Sequence, residues 1–220
     1  MTTPLRLVIV DDDPLVRTGL GLILGGQSDL TVVGEASNGQ EGLLAVHELK
    51  PDIVLMDIRM PIMDGLVATE ALAKRPGAPK IIVLTTFDTD DLVLRALQGG
   101  ASGFLLKDTP PAKMVEAIRA VAEGDPILSP SVTAQLIAAA TRGMGNDRRA
   151  AALADLEALT EREREVAVAI GQGKSNAEIS AELYMSVATV KAYVTRLFDK
   201  LAVDNRVQVA MRVHDAGLLD

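Results

Sequence analysis

Five short apolar runs alternate with helix-like segments over the first 123 residues, and this alternation constrains the fold more than any other feature. The runs are rich in Val, Ile and Leu and are not interrupted by polar residues, as expected for parallel strands covered on both faces. They comprise Leu5–Val10, Thr31–Val33, Ile53–Met56, Ile81–Leu84 and Gly103–Leu106. Helices are predicted at about residues 14–24, 39–49, 64–73, 90–98 and 111–123. The pattern predicts an α/β domain with a five-stranded, doubly wound parallel sheet.

The remainder of the chain lacks strand signals and divides into a linker and a helical domain. Gly124, Pro126 and Pro130 interrupt the pattern, and one helix is predicted at about 130–140. From Thr160 onward, capping signals mark the starts of four short helices. These signals are Thr160 with Glu163, Ser175 with Glu178, Ser186 and Asn205. We therefore predict a domain at 1–124, a linker at 125–154 and a small all-α four-helix domain at 155–220.

Charge is distributed unevenly along the chain, whose net charge is −8. Residues 1–125 carry 11 basic and 18 acidic side chains, whereas residues 186–213 carry 5 basic and 2 acidic ones. This asymmetry suits an acidic module joined to one that contacts DNA. The absence of cysteine excludes disulfides and thiolate chemistry, and two distant histidines argue against a zinc site. No apolar run is long enough to span a membrane, so we expect a cytoplasmic protein.

Polar residues follow four of the five predicted strands at their carboxyl ends. Asp11 and Asp12 follow the first strand, Asp57 the third, Thr85 the fourth and Lys107 the fifth. Ligands of open α/β sheets bind outside these ends. The sequence therefore predicts one pocket that contains carboxylates, a hydroxyl group and an ammonium group.

The predicted pocket has the residue types that phosphoryl transfer to a carboxylate requires. Clustered carboxylates repel one another, so positive charge is needed nearby to offset the repulsion. Lys107 supplies one such charge, and Mg²⁺, which prefers carboxylates, waters and phosphate oxygens, would supply two more. A carboxylate beside Mg²⁺ can attack a phosphoryl donor and form an acyl phosphate. A phosphatase is the competing enzyme class, but one of the dehalogenase type needs a second Asp where this chain has Arg59.

Four segments of the first half resemble the receiver domain of two-component response regulators, a flavodoxin-like fold. They are VIVDDDPLVRTGL, DIVLMDIRMPIMDGL, IIVLTTFD and GASGFLLKD, and the resemblance extends from residue 5 to about 123. It implies a phosphoacceptor at Asp57, with Mg²⁺ as cofactor and a sensor histidine kinase as partner. The other implied site residues are Asp12 as a direct metal ligand, Asp11 as an indirect one, the backbone carbonyl of Arg59, the switch residues Thr85 and Phe104, and Lys107 at the phosphoryl group. Phosphorylation by small donors and slow self-dephosphorylation are compatible with these roles, without making the chain a turnover enzyme.

The segment LTEREREVAVAIGQGKSNAEISAELYMSVATVKAYVTRLFDKLAV resembles the helix-turn-helix of the LuxR-type class. Receivers that carry this domain form the NarL/FixJ family of transcription regulators, which implies binding to double-stranded promoter DNA. In the predicted helix from Val187 to Leu201, an apolar stripe faces inward and small or polar residues face a major groove. The stripe comprises Val190, Val194, Leu197 and Leu201. Expected DNA contacts are Lys191, Thr195, Arg196, Ser186, Thr189 and Arg206.

The last predicted helix is more apolar than a small bundle requires. By family resemblance, Val207 and Ala210 could form part of a homodimer surface, and phosphorylation would favour that dimer. Two other interpretations remain open. The protein could occupy DNA constitutively with a vestigial phosphorylation site, or its helical domain could bind a protein instead of DNA.

Overall fold

The computed structural model describes residues 3–75, 77–85, 90–125 and 146–219. These residues form two compact units, one ending at Glu123 and the other containing Gly124, Asp125 and the C-terminal helices. The helix predicted at about 130–140 lies outside the described residues. Among the residues described, none of the helices combines the length and the apolar character that crossing a bilayer requires.

The first unit is the predicted α/β domain. Its strands are β1 (Leu5–Val10), β2 (Leu30–Ala36), β3 (Ile53–Asp57), β4 (Lys80–Thr85) and β5 (Gly103–Leu106). Its helices are α1 (Pro14–Gly25), α2 (Gly39–Leu49), α3 (Gly65–Ala73), α4 (Asp90–Gln98) and α5 (Pro111–Glu123). All strand pairs are parallel, in the order β2-β1-β3-β4-β5. The predicted fold class and element order are therefore confirmed.

Burial follows the apolar runs that predicted the strands. Leu7, Ile9, Ile53 and Leu55 are fully buried, in a core cluster that also contains residues of α1 and α5. Because successive strand residues point to opposite faces, Val10 packs on the other side of the sheet, against α2. Continuous apolar runs are needed because both faces of the central strands are covered.

The C-terminal unit contains five described helices around one core. They are α6 (Asn146–Glu157), α7 (Glu161–Gly171), α8 (Asn176–Glu182), α9 (Val187–Leu201) and α10 (Arg206–Asp215). The capping boxes at Thr160 and Ser175 are confirmed, as are the caps at Ser186 and Asn205. Ala152 and Leu156 of α6 are buried in this core, so the predicted boundary at residue 155 falls within a helix of the unit.

Glu163 joins two of these helices. Its carboxylate accepts hydrogen bonds from the Thr160 backbone N–H and hydroxyl, both at 2.9 Å, and Lys200 Nζ of α9 lies 2.8 Å away. The hydrogen bond from Lys200, followed by that from the Thr160 backbone, lowers the Glu163 pKa from 4.5 to about 2. The Glu163 side chain is only 5% exposed, so these contacts are poorly replaced by water.

Replacing Glu163 with glutamine is expected to lower the free energy of unfolding at neutral pH by about 1–2 kcal/mol. Because the folded-state pKa is depressed, the contribution of the carboxylate is complete above 4.5 and is lost as the pH falls toward about 2. Urea unfolding of the wild type and the variant should therefore converge over that pH range. Glu178→Gln, which removes the exposed carboxylate of the other capping box, is the control and should show a smaller effect. Equal losses for both variants at neutral pH would contradict this assignment.

Candidate functional site

The register of the parallel sheet brings together the polar residues that follow its strands. Val10 pairs with Met56, so Asp11 and Asp57 leave neighbouring strands at the same level. On the next pairs of strands, Asp57 is in register with Leu84, and Thr85 is in register with Leu106. Lys107 therefore enters the same edge of the sheet from β5.

A lysine ammonium bridges two buried carboxylates at this edge. Lys107 Nζ lies 2.7 Å from Asp11 Oδ2 and 3.0 Å from Asp57 Oδ1. Carboxylate oxygens of Asp11, Asp12 and Asp57 all lie within 4.8 Å of one another. Asp11 is fully buried and Asp57 is 5% exposed, whereas Asp12 is open to solvent. The cluster is thus closed on the protein side and accessible beside Asp12.

Local hydrogen bonds orient Asp11 and give Asp13 a different role from that of Asp11. The Asp13 side chain caps α1 by accepting from the Leu15 N–H at 2.8 Å, while its own N–H donates to Asp11 Oδ1 at 3.0 Å. Arg17 of α1 donates to the Asp11 backbone carbonyl at 2.7 Å. Of the three consecutive aspartates, Asp13 therefore has a capping role, and Asp11 and Asp12 contribute carboxylates to the cluster.

The electrostatics of the cluster favour an additional cation. Burial raises the pKa of Asp57, with a further contribution from the charge of Asp11, and together they outweigh the opposing effect of Lys107. Burial acts to lower the pKa of Lys107, but hydrogen bonds to Asp11 and Asp57 reverse this, so the pKa is raised. One ammonium therefore faces three carboxylates. Oxygen-only ligands with this excess of negative charge fit Mg²⁺.

The structure also places the three remaining receiver residues of the prediction. Thr85 is 6% exposed at the end of β4, and its carbonyl accepts from the Lys107 N–H at 2.8 Å. Phe104 is 4% exposed on β5, in register with Val83 of β4. Arg59 is exposed in the loop that follows Asp57. Thr85 and Phe104 thus lie on adjacent strands, one of which leads directly into Lys107.

Gly65 also belongs to this site, although it was not among the residues predicted for it. A Cβ atom at this position would lie 1.9 Å from the Asp57 carbonyl oxygen and 3.1 Å from Met56 Cγ. Its N–H donates to the Ile58 carbonyl at 2.9 Å, directly after the Asp64 cap of α3. The signal was available, because a glycine directly after a capping aspartate, at the start of a helix, indicates close backbone approach.

In the second unit, α9 has the predicted buried stripe. Val190, Val194, Leu197 and Leu201 are buried, and exposed residues between them form the outer face. Ala188, Ala192, Thr195 and Arg196 are exposed on it, and Lys191 is partly exposed. Small side chains beside basic ones give a face that can enter a major groove.

Internal contacts orient the polar residues of this face. Ser186 accepts the Thr189 N–H at 3.1 Å, and their hydroxyls lie 2.8 Å apart at the start of α9. The Thr195 hydroxyl donates to the Lys191 carbonyl at 3.1 Å and keeps its lone pairs for a donor. The Arg196 guanidinium stacks over the Tyr193 ring, 5.5 Å from its centroid.

Three residues of α10 that were predicted to contact DNA or a second copy of the chain are wholly or partly buried. Arg206 is 5% exposed, and its guanidinium donates to Asn176 Oδ1 at 2.8 Å and to the Lys174 carbonyl. Val207 is 3% exposed, and Ala210 packs partly buried against the domain core. Arg206 is thus directed inward, and of the two predicted dimer residues only Ala210 retains a partly accessible side chain.

Comparisons with known proteins agree with this division. Residues 7–119 match the family described as the response regulator receiver domain, and residues 157–213 match the luxR family of bacterial regulatory proteins. The transcriptional regulatory protein LiaR of Bacillus subtilis is 40% identical over 216 residues, covering 98% of this chain and 100% of LiaR. The nitrate/nitrite response regulator NarL of Escherichia coli K12 is 36% identical over 211 residues, covering 96% of this chain and 95% of NarL.

A solved structure extends the likeness over both units. The response regulator ChrA of a heme-sensing two-component system covers 99% of this chain and 100% of its own, at 36% identity and a TM-score of 0.53. Two family matches and full-length relatives above 30% identity thus agree with the acidic cluster and the helix-turn-helix. The chain belongs to the response regulators of two-component systems, as a receiver joined to a LuxR-type DNA-binding domain that regulates transcription in a phosphorylation-dependent manner.

Proposed function

We propose that Asp57 accepts a phosphoryl group from a sensor histidine kinase and that the product changes dimerisation and DNA binding. The observation that carries the proposal is the convergence of three carboxylates and one ammonium. Oxygens of Asp11, Asp12 and Asp57 lie within 4.8 Å of one another, and Lys107 forms ion pairs with Asp11 and Asp57. Asp12, Asp57 and the backbone carbonyl of Arg59 would hold Mg²⁺, with Asp11 acting indirectly. When bound, Mg²⁺ would supply the charge that neutralises the carboxylates and the incoming phosphoryl oxygens.

Asp57 and Lys107 would have different roles in the phosphoryl transfer. The Asp57 carboxylate oxygen forms a bond to phosphorus while the bond from phosphorus to the imidazole nitrogen of the donor breaks, and the electron pair stays on that nitrogen. Lys107, whose ammonium lies 3.0 Å from Asp57 Oδ1, would stabilise the negative charge that spreads over the transferred oxygens. The same site could accept a phosphoryl group from a small donor such as acetyl phosphate. Hydrolysis of the resulting acyl phosphate would be slow, as suits a signal.

Thr85 and Phe104 would transmit the change at the phosphorylated Asp57 to the surface of the receiver. The new dianion attracts the Thr85 hydroxyl, Phe104 moves with it, and the surface around the fourth and fifth helical connections changes. This is a population shift, and reversing a strongly biased two-state equilibrium takes about 5 kcal/mol of differential stabilisation. The favoured state would be a homodimer that binds two related half-sites. Helix α10, which carries Val207 and Ala210, would contribute to the dimer surface, with Ala210 as the accessible residue of the two.

The output would be contact with double-stranded promoter DNA through α9. Lys191 would reach a guanine edge or a phosphate, and Thr195 and Arg196 would contact bases or backbone nearby. Ser186, Thr189 and Arg206 would position the helix through phosphates. Because its proposed target is promoter DNA, we expect the protein to act in the cytoplasm.

The experiment combines phosphorylation with DNA binding by the full chain. Acetyl phosphate with Mg²⁺ should add one phosphoryl group, seen by intact mass, and chelation of Mg²⁺ should prevent it. Duplexes selected from a random pool should then bind the phosphorylated chain at least about tenfold more tightly, about 1.4 kcal/mol. Stoichiometric phosphorylation without any change in DNA affinity or oligomeric state would contradict the proposed switch.

A further inference from the structure

The carboxylate of Asp125 lies against the helix-turn-helix domain. Its Oδ1 accepts the Asn176 backbone N–H at 3.0 Å and lies 3.5 Å from Arg206 Nη1. Asp125 groups with the C-terminal unit, so this is a contact within that unit. The side chain of Asp125 is 29% exposed, whereas that of Arg206 is 5% exposed. The aspartate is therefore the more exposed partner of a buried guanidinium.

The Arg206 guanidinium needs an anion at this position. It donates to two neutral acceptors, Asn176 Oδ1 and the Lys174 carbonyl, which satisfy hydrogen bonds without balancing the charge. Burial lowers the pKa of Arg206, and the charges of Asp125 and Glu178 oppose that change. Among the described residues, Asp125 is the acidic side chain that forms an ion pair with Arg206.

The location of the pair suggests what else could occupy this place. Arg206 begins α10 and Asn176 begins α8, the first helix of the helix-turn-helix. In this motif the first helix crosses the DNA backbone while the second enters the groove. Carboxylate and phosphate oxygens are interchangeable acceptors for a guanidinium fork. A DNA phosphate and the Asp125 carboxylate are therefore ligands of the same kind for Arg206.

We propose that the Arg206 guanidinium is a DNA-phosphate contact and that Asp125 occupies it as an internal substitute for the phosphate. The proposal rests on the DNA-binding function proposed above and adds a competitor for one contact of that interface. It reconciles the expected phosphate contact of Arg206 with its present ion pair, because a phosphate that displaces the more exposed Asp125 carboxylate would take over its place beside the guanidinium. The alternative is a purely structural ion pair that ties the chain after α5 to this domain.

The two roles differ in the sign of their effect on DNA affinity. In the full-length chain, Asp125→Asn should raise the affinity for a random-sequence duplex about three- to tenfold. Freeing a cation to neutralise one more phosphate should also steepen the dependence of log affinity on log salt concentration by about 0.9. Asp204→Asn removes an equal charge from an exposed position two residues before Arg206 and controls for general electrostatics. Adding Arg206→Gln to Asp125→Asn should abolish the gain.

Each outcome of this experiment bears on the proposal. A gain in affinity and salt slope that exceeds the Asp204→Asn control and needs Arg206 supports it. If the wild type binds the duplex but Asp125→Asn has no advantage over the control, the pair is structural, and DNA binding itself stands. A gain that survives Arg206→Gln also overturns the proposal. If neither the wild type nor any variant that unfolds cooperatively binds the duplex, the proposed DNA function fails and this inference fails with it.

Discussion

The Asp57→Asn variant is expected to incorporate no phosphoryl group from acetyl phosphate and Mg²⁺, and its DNA affinity should not respond to the donor. An amide nitrogen or oxygen cannot replace the carboxylate as nucleophile, and the substitution also removes one of the three carboxylates of the cluster. Its affinity for DNA should equal that of the unphosphorylated wild type. Intact mass and titration of a selected duplex, with and without the donor, measure both effects.

Folding of the variant must be shown before its inactivity is assigned to chemistry. Asparagine has nearly the volume of aspartate. It loses the ion pair with Lys107, but Lys107 keeps its ion pair with Asp11, and the lost carboxylate is one whose pKa is raised by burial and by Asp11, so the midpoint of unfolding should not fall. Asp108→Asn is the matched control, since this exposed carboxylate follows Lys107 without belonging to the cluster. A folded Asp57→Asn chain that is still phosphorylated, or still gains DNA affinity with the donor, would place the phosphoacceptor elsewhere.

The acidic site was predictable because it depends on backbone topology. Once five apolar runs are assigned to parallel strands, their carboxyl ends share an edge, so Asp57 and Lys107 are expected at the same edge of the sheet. Their contact also depends on the strand order, in which only β4 separates β3 from β5. The caps were predictable for a similar reason. A Ser, Thr or Asn at the start of a helix satisfies its own backbone within three residues, as Ser186 and Asn205 do.

The burial of Arg206 and Val207 could not be derived from local patterns. Both lie in the first turn of α10, where an isolated helix would expose either side chain. What buries Arg206 comes from distant segments, namely Lys174, Asn176 and Asp125, 32, 30 and 81 positions away. Such contacts depend on tertiary packing, which no periodicity within α10 encodes. An arginine at position 206 suggested an anionic partner, but only the structure shows that this partner is the Asp125 carboxylate.

Gly65→Ala is expected to destabilise the receiver by about 3 kcal/mol, at the upper end of what overpacking costs. The added Cβ would lie 1.9 Å from the Asp57 carbonyl oxygen, which is backbone and cannot rotate away. The start of α3 and the end of β3 must therefore separate. We expect the thermal midpoint of the receiver to fall by roughly 10 °C or more. Differential scanning calorimetry of the full chain measures this shift.

The same displacement should slow phosphorylation, because Asp57 itself is the residue pushed by the new methyl group. Gly19→Ala is the matched control, since α1 leaves a Cβ at that position with no neighbour within 4 Å. In a helix interior this change should stabilise by about 0.5–1 kcal/mol. Comparing Gly65→Ala with Gly19→Ala separates the effect of replacing a glycine from the effect of placing a methyl group where there is no room for it. If Gly65→Ala unfolded at the wild-type temperature and was phosphorylated at the wild-type rate, the close approach of α3 to Asp57 would not constrain the site.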